Sequence, residues 1–137
     1  VRSICSLRPG VPGLSESIRV RSIVGRYLEH SRIFFFGSQH QRRGAYYIGS
    51  ADLRRRNLER RVEVAVPVDD PMLQARLQQV LDINLSDNAT AWTLRADGTW
   101  APPPGSGAGT HARLQAAALE RVRQARGGAE PAPVAER

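Results

Sequence analysis

The sequence contains no lysine: all twenty of its basic residues are arginine. It has one cysteine, Cys5, one methionine, Met72, and three histidines, His30, His40 and His111. A single cysteine excludes an internal disulfide, and a cytoplasmic location is the default expectation for such a chain. No Cys/His cluster has metal-ligand spacing, so no metal site is expected within the chain. No apolar run approaches the roughly 20 residues that span a bilayer, and nothing resembles a signal peptide. The chain starts at Val1 without a methionine and reads as a piece of a longer protein.

What is present is positive charge. Twenty arginines against 13 acidic residues give +7 over 137 residues. That length suits one domain with a modest core, and that charge requires a polyanionic partner to be considered. A guanidinium pairs with phosphate oxygens two at a time, where an ammonium acts as a point charge. The richness in Ala, Gly and Pro offers a competing explanation, a GC-rich genome that replaces lysine regardless of function. The clustering of particular arginines is therefore more informative than their total.

Periodicity and turn chemistry set the expected order of elements. Ser3 to Leu7 reads as a short buried strand ended by Pro and Gly, and the β-branched alternation of Ile18 to Val24 as a second extended segment. Arg32 to Phe36 and Ala45 to Ile48 form a hairpin around the polar loop Gly37 to Gly44. Ala51 to Arg60 has helical character with Leu53 and Leu58 inward, and Val62, Val64, Val66 and Val68 alternate as a strand. Asp70 is an N-cap with Pro71 at the first helical position, and the helix that follows puts Leu73, Leu77, Val80 and Leu81 on one face. Ala96-Asp97-Gly98 signals a second hairpin. Residues 101–109 read as a Pro/Gly linker, 110–126 as a helix that Thr110 caps, and 127–137 as a disordered tail. The fold class is α/β, a mixed sheet flanked by helices in a single-domain fragment.

The chemistry concentrates between Arg26 and Glu63. Arg26-Tyr27-Leu28-Glu29-His30-Ser31-Arg32 runs into Ile33-Phe34-Phe35-Phe36, followed by Tyr47-Ile48-Gly49-Ser50-Ala51-Asp52 and Arg60-Arg61-Val62-Glu63. Phosphoryl transfer needs charge neutralisation, alignment and a proton source or sink, and histidine is the side chain suited to exchange that proton near neutral pH. On a strand, His30 and Arg32 would point to one face and reach one phosphate together. An edge-strand arginine stacked on Tyr46 or Tyr47 fits the same residues. Ser50 and the Gly49-Ser50 backbone could donate to phosphate oxygens, or simply make a turn. Arg54-Arg55-Arg56 and Arg60-Arg61 form the densest cationic run, in which Arg56 and Arg60 share a helix face.

This ordered set resembles the second half-site of the phospholipase D superfamily, and more closely the C-terminal catalytic domain of bacterial polyphosphate kinases, over residues 1–100. Leu14-Ser15-Glu16-Ser17-Ile18-Arg19-Val20-Arg21-Ser22-Ile23-Val24, the Glu29-His30-Ser31-Arg32 core and Tyr47 to Asp52 carry the likeness. The resemblance implies reversible transfer of the terminal phosphate of ATP to polyphosphate through a phosphohistidine in the missing preceding domain. It implies that His30 is the second histidine, a general acid or base that also binds nucleotide phosphate. Arg2 would be the nucleotide-phosphate contact, Arg32 would take the place of the superfamily's lysine, and Glu63, thirteen residues after Ser50, would orient the histidine. ATP or ADP, polyphosphate, the preceding domains of the same chain and further copies of the full-length enzyme are the implied partners. Mg²⁺ would arrive with the nucleotide. The fragment alone would be inactive.

The alternatives are a phospholipase D-like phosphodiesterase or nuclease half-site and a basic polyanion-binding module. Asp52 stands where many phospholipase D relatives carry asparagine, and no aspartate follows the His30 strand at their usual spacing, which argues against the first. Trp92 and Trp100 flank a hairpin instead of interleaving with the arginines, which argues against specific nucleic-acid binding. Within the kinase family, Leu53-Arg54-Arg55 replaces a more usual aromatic-Met-x stretch. His40 and His111 are assigned no role.

Overall fold

The structure, a computed structural model, describes residues 8–38, 43–52 and 55–127. Its elements in chain order are β1 (Arg21–Ile23), β2 (Ile33–Ser38), β3 (Arg43–Gly49), α1 (Arg55–Arg60), β4 (Ala65–Val68), α2 (Pro71–Leu85), β5 (Ala91–Leu94), β6 (Trp100–Ala101) and α3 (Thr110–Ala125). The α/β class is as expected. The chain divides into two compact units, Leu28–Leu85 and Val1–Tyr27 with Ser86–Arg137. The expected strand Ser3 to Leu7, with Cys5, lies outside the described residues, as do Arg2, His40, Leu53, Arg54 and residues 128–137.

In the unit Leu28–Leu85, β2 and β3 form the expected hairpin, with Phe35 opposite Tyr46 and Gly37 opposite Gly44. β4 pairs with the other edge of β3, from Tyr46–Val68 to Gly49–Ala65. It is shorter than the expected valine strand, and Val62 and Val64 before it are exposed. Side chains alternate across this antiparallel sheet. Tyr46 is buried, with its ring 4.8 Å from that of Phe35, while Phe36 and Tyr47 meet edge-on at 5.9 Å on the opposite face.

Asp70 caps α2 as expected: its Oδ1 accepts the Leu73 N–H at 2.9 Å, and Pro71 opens the helix. Of the expected inward stripe, Leu77, Val80 and Leu81 are half-buried and only Leu73 departs. Leu73 is exposed, and the buried side chains of α2 are Gln78 and Ile83. The Tyr46 hydroxyl, taken out of water, needs a polar partner and donates to Gln78 Oε1 at 2.5 Å. Gln74 Nε2 donates to the Val68 carbonyl oxygen at 2.9 Å, and Gln78 Nε2 to Asp82 Oδ1 at 2.7 Å. The inward face of α2 thus combines half-buried apolar side chains with a hydrogen-bonded glutamine.

In the other unit, β1, β5 and β6 form an antiparallel sheet. The strand expected over Ile18 to Val24 narrows to Arg21–Ile23. The β5–β6 hairpin turns at Gly98, whose φ of +87° suits glycine. Asp97 Oδ1 accepts the Thr99 N–H at 2.8 Å. Asp87 is the buried centre of this unit. Its carboxylate accepts five hydrogen bonds, from the Ala89 and Thr90 amides, the Thr90 hydroxyl, and the amide and hydroxyl of Thr110. Thr110 was expected to cap α3. Instead Gly109 is the N-cap residue, and the carboxylate comes from 23 residues earlier in the chain. An anion is favoured at a helix N-terminus, so Asp87 outcompetes the hydroxyl and ties β5 to α3. Along 101–109, the Gly105 N–H donates to the Asn88 carbonyl oxygen at 2.8 Å.

Candidate functional site

The segment Leu28 to Arg32 enters the hairpin without regular structure. His30 and Arg32 were expected on one strand face, but β2 starts at Ile33. The Arg32 carbonyl oxygen accepts the Gly49 N–H at 3.1 Å, which ties the start of β2 to the end of β3. Its guanidinium turns back on the chain. Nε and Nη2 donate to Asp52 Oδ1 at 3.0 and 2.9 Å, and Nη1 donates to the carbonyl oxygen of His30. Arg32 therefore holds the backbone of His30, while the His30 side chain is exposed.

Where β3 ends, Ser50 closes a second cluster. Its N–H donates to the Val64 carbonyl oxygen at 3.0 Å, and its Oγ accepts the Val64 N–H at 3.1 Å. The same hydroxyl donates to Glu63 Oε2 at 2.5 Å. From α1, Asn57 Nδ2 donates to Glu63 Oε1 at 3.0 Å. The Ser50 and Asn57 hydrogen bonds hold the Glu63 carboxyl below its usual pKa, against a smaller opposing effect of burial and with help from the Arg61 and Arg32 charges.

The fold thus brings Arg32, Ser50 and Glu63 to one end of the β2-β3-β4 sheet, together with Asp52 and the backbone of His30. Arg2 is outside the described residues. Arg56 and Arg60 are exposed on α1, whereas Arg55 is paired with Glu59 at 2.8 Å. Reasoning from sequence missed Asn57, although an asparagine inside an arginine-rich helix was a signal, because that residue favours caps and turns. It also assigned nothing to His111. In the other unit, His111 Nδ1 accepts the Tyr27 N–H at 3.2 Å, beside a cavity of about 290 Å³ lined by Arg26, Tyr27, Thr90, His111 and Gln115.

Among the described residues, no three His, Cys, Asp or Glu side chains gather to hold a metal ion. No helix there is long and apolar enough to cross a membrane.

The family described as polyphosphate kinase C-terminal domain 2 matches residues 1–112. A polyphosphate kinase of Thermosynechococcus vestitus is 53% identical over 126 residues, covering 89% of this chain and 17% of that protein. One from Streptomyces coelicolor is 46% identical over 132 residues, covering 96% of this chain and 17% of that protein. The crystal structure of polyphosphate kinase from Porphyromonas gingivalis matches with a TM-score of 0.63 at 35% identity, over 85% of this chain and 18% of that one. The chain spans only 17% of the length of the two curated relatives.

Proposed function

The chain belongs to the polyphosphate kinase C-terminal domain family, and we propose that it supplies one half of an active site for reversible transfer of phosphate between ATP and polyphosphate. In this reading a histidine elsewhere in the full-length protein takes the terminal phosphoryl group of ATP, releases ADP, and passes the group to the end of a polyphosphate chain. His30 faces the transferring phosphate and exchanges a proton there. Arg2 binds the phosphates of the nucleotide.

The observation that carries this reading is the hold on His30. Its carbonyl oxygen is bonded by Arg32, and Arg32 is bonded by Asp52, while the imidazole stays exposed. A side chain with a fixed base and a free ring suits a role toward a group that arrives from outside the unit. Ser50 and the Gly49-Ser50 backbone, expected as phosphate donors, are given no such role, because the Ser50 hydroxyl donates to Glu63, its N–H to the Val64 carbonyl oxygen and the Gly49 N–H to the Arg32 carbonyl oxygen. The exposed Arg56 and Arg60 supply positive charge for a linear polyanion.

Exposed apolar side chains support a site completed by other parts of the full-length protein. Phe36, Ile48, Val64 and Val66 are all exposed in the unit that carries His30, and such surface is commonly covered by a partner. Preceding domains of the same polypeptide are the proposed cover, in an oligomeric enzyme of the cytoplasm. Mg²⁺ is assigned no ligand in this chain and would accompany the nucleotide.

Radiolabelled ATP tests the proposal. The full-length protein should form labelled polyphosphate, and His30→Ala should slow it by roughly 10² to 10⁴-fold, the usual range for a proton-transfer group. The isolated chain should acquire no label. Robust self-phosphorylation of the isolated chain, or undiminished synthesis by His30→Ala, would count against the assignment.

A further inference from the structure

Asn57 is 3% exposed and its amide has one satisfied and one unsatisfied end. Nδ2 donates to Glu63 Oε1 at 3.0 Å, whereas Oδ1 is buried and accepts nothing among the described residues. A carboxylate only accepts, so the amide nitrogen must face Glu63 and the oxygen must take the dry side. A buried, unbonded acceptor destabilises a fold, and asparagine is a weak helix former. An apolar side chain at this place in α1 would avoid both penalties. The packing of the unit gives no reason for the asparagine; the bond to Glu63 does.

We infer that Asn57 is a positioning residue of the phosphate-transfer site: it fixes Oε1 of Glu63 while Ser50 fixes Oε2, so the carboxylate is held in one orientation. This rests on the site proposed above, and extends it to a residue on a different element. Each Glu63 oxygen keeps a second lone pair, open to a donor such as an imidazole N–H. The charges that face this carboxylate are those of Arg32, before β2, and Arg61, after α1. Neither replaces Asn57, because a charge that makes no hydrogen bond to the carboxylate favours ionisation without setting the angle of its plane.

The test is a double-mutant cycle in the full-length protein, with kcat, KM for polyphosphate, the pH profile and the urea midpoint measured for wild type, Asn57→Ala, Glu63→Ala and the double variant. Asn57→Ala should lower kcat about 10-fold, the low end for loss of a group that orients a catalytic side chain. The acid limb of its profile should move to higher pH, because Glu63 loses a donor to its charged form. In the Glu63→Ala background the same change should cost nothing further, since its effect runs through the missing carboxylate. A kcat within about twofold of wild type, or losses that multiply in the double variant, would overturn the inference.

Should Asn57→Ala fail to fold, Asn57→Asp replaces the donor with an acceptor of the same shape. Its kcat should be low near neutral pH and recover as one of the two facing carboxyls is protonated; an unchanged profile overturns the inference. A wild-type protein that makes no polyphosphate from ATP sinks the proposed function, and this inference with it. An active wild type beside an equally active Asn57→Ala sinks this inference alone.

Discussion

Arg32 and Asp52 form an ion pair in which two guanidinium nitrogens converge on a single carboxylate oxygen, at 3.0 and 2.9 Å. The pair spans twenty residues of sequence and joins the segment before β2 to the segment after β3. The third guanidinium nitrogen holds the His30 carbonyl. Arg32 is thus a fastener between the hairpin's two open ends before it is a ligand for anything else.

Asp52→Ala should therefore affect activity more than stability. The arginine and aspartate side chains are 26% and 44% exposed, and ion pairs near water contribute up to about 1 kcal/mol. Phosphate transfer should fall further than that loss explains, because His30 loses its backbone anchor. Arg32→Lys should fail to restore it, since an ammonium on a flexible stem cannot reproduce the planar fork. Comparing urea midpoints and kcat across the two variants checks both statements.

Ser50→Ala removes the largest influence on Glu63. The carboxyl is held below its ordinary value of 4.5, so its stabilising bonds are fully present above that pH and are lost as pH falls through the lowered value. Without the hydroxyl, the pKa should rise toward 4.5 and the acid limb of the rate profile should move up with it. An acid limb that stays in place would show that Glu63 does not govern it.

Asp87→Asn should unfold its unit more easily. Burial by itself would raise the Asp87 pKa, but the hydrogen bonds from Thr110 and Thr90 prevail and hold it well below the usual carboxylate range. An amide in its place would set a donor against donors, at a cost of roughly 1–3 kcal/mol per group left unpaired. Because the folded pKa is depressed, the wild-type contribution is present above the ordinary 3.8 and fades as pH falls below it. Urea titrations should show a lower midpoint for the variant at pH 7 and a flatter dependence on acid than in wild type.

Gly49→Ala tests the close approach of β3 to β4. A Cβ there would lie 2.8 Å from the Val64 carbonyl oxygen and 3.3 Å from the Phe34 ring. The backbone oxygen cannot swing aside, so the strands must part next to Ser50, at a cost of about 1–3 kcal/mol. Activity should fall along with the thermal midpoint. Gly98→Asn serves as the control: the turn has open space around it, and asparagine tolerates the left-handed region. Both effects can be read from one thermal-shift series with a parallel ATP assay.

Much of this was legible in the residues themselves. Local chemistry decided the β2–β3 hairpin, the Asp70 cap on α2 and the Asp97-Gly98 turn, because each depends on neighbours a few residues apart. The ordered His30, Arg32, Ser50 and Glu63 marked one end of one sheet for the same reason, since a hairpin brings its two ends together whatever surrounds it. Pairings between distant residues were not legible. Asp87 reaches Thr110 and Arg32 reaches Asp52 only after the chain has folded, and no periodicity announces them. Counting apolar positions placed Leu77, Val80 and Leu81 on the half-buried face of α2 but missed Gln78, which is inside where the hydroxyl of Tyr46 meets it. Sequence alone determined which groups were available for the proposed phosphate chemistry. The tertiary structure decided which polar atoms each of them faces, because a buried hydrogen bond is satisfied by whatever the fold brings within about 3 Å.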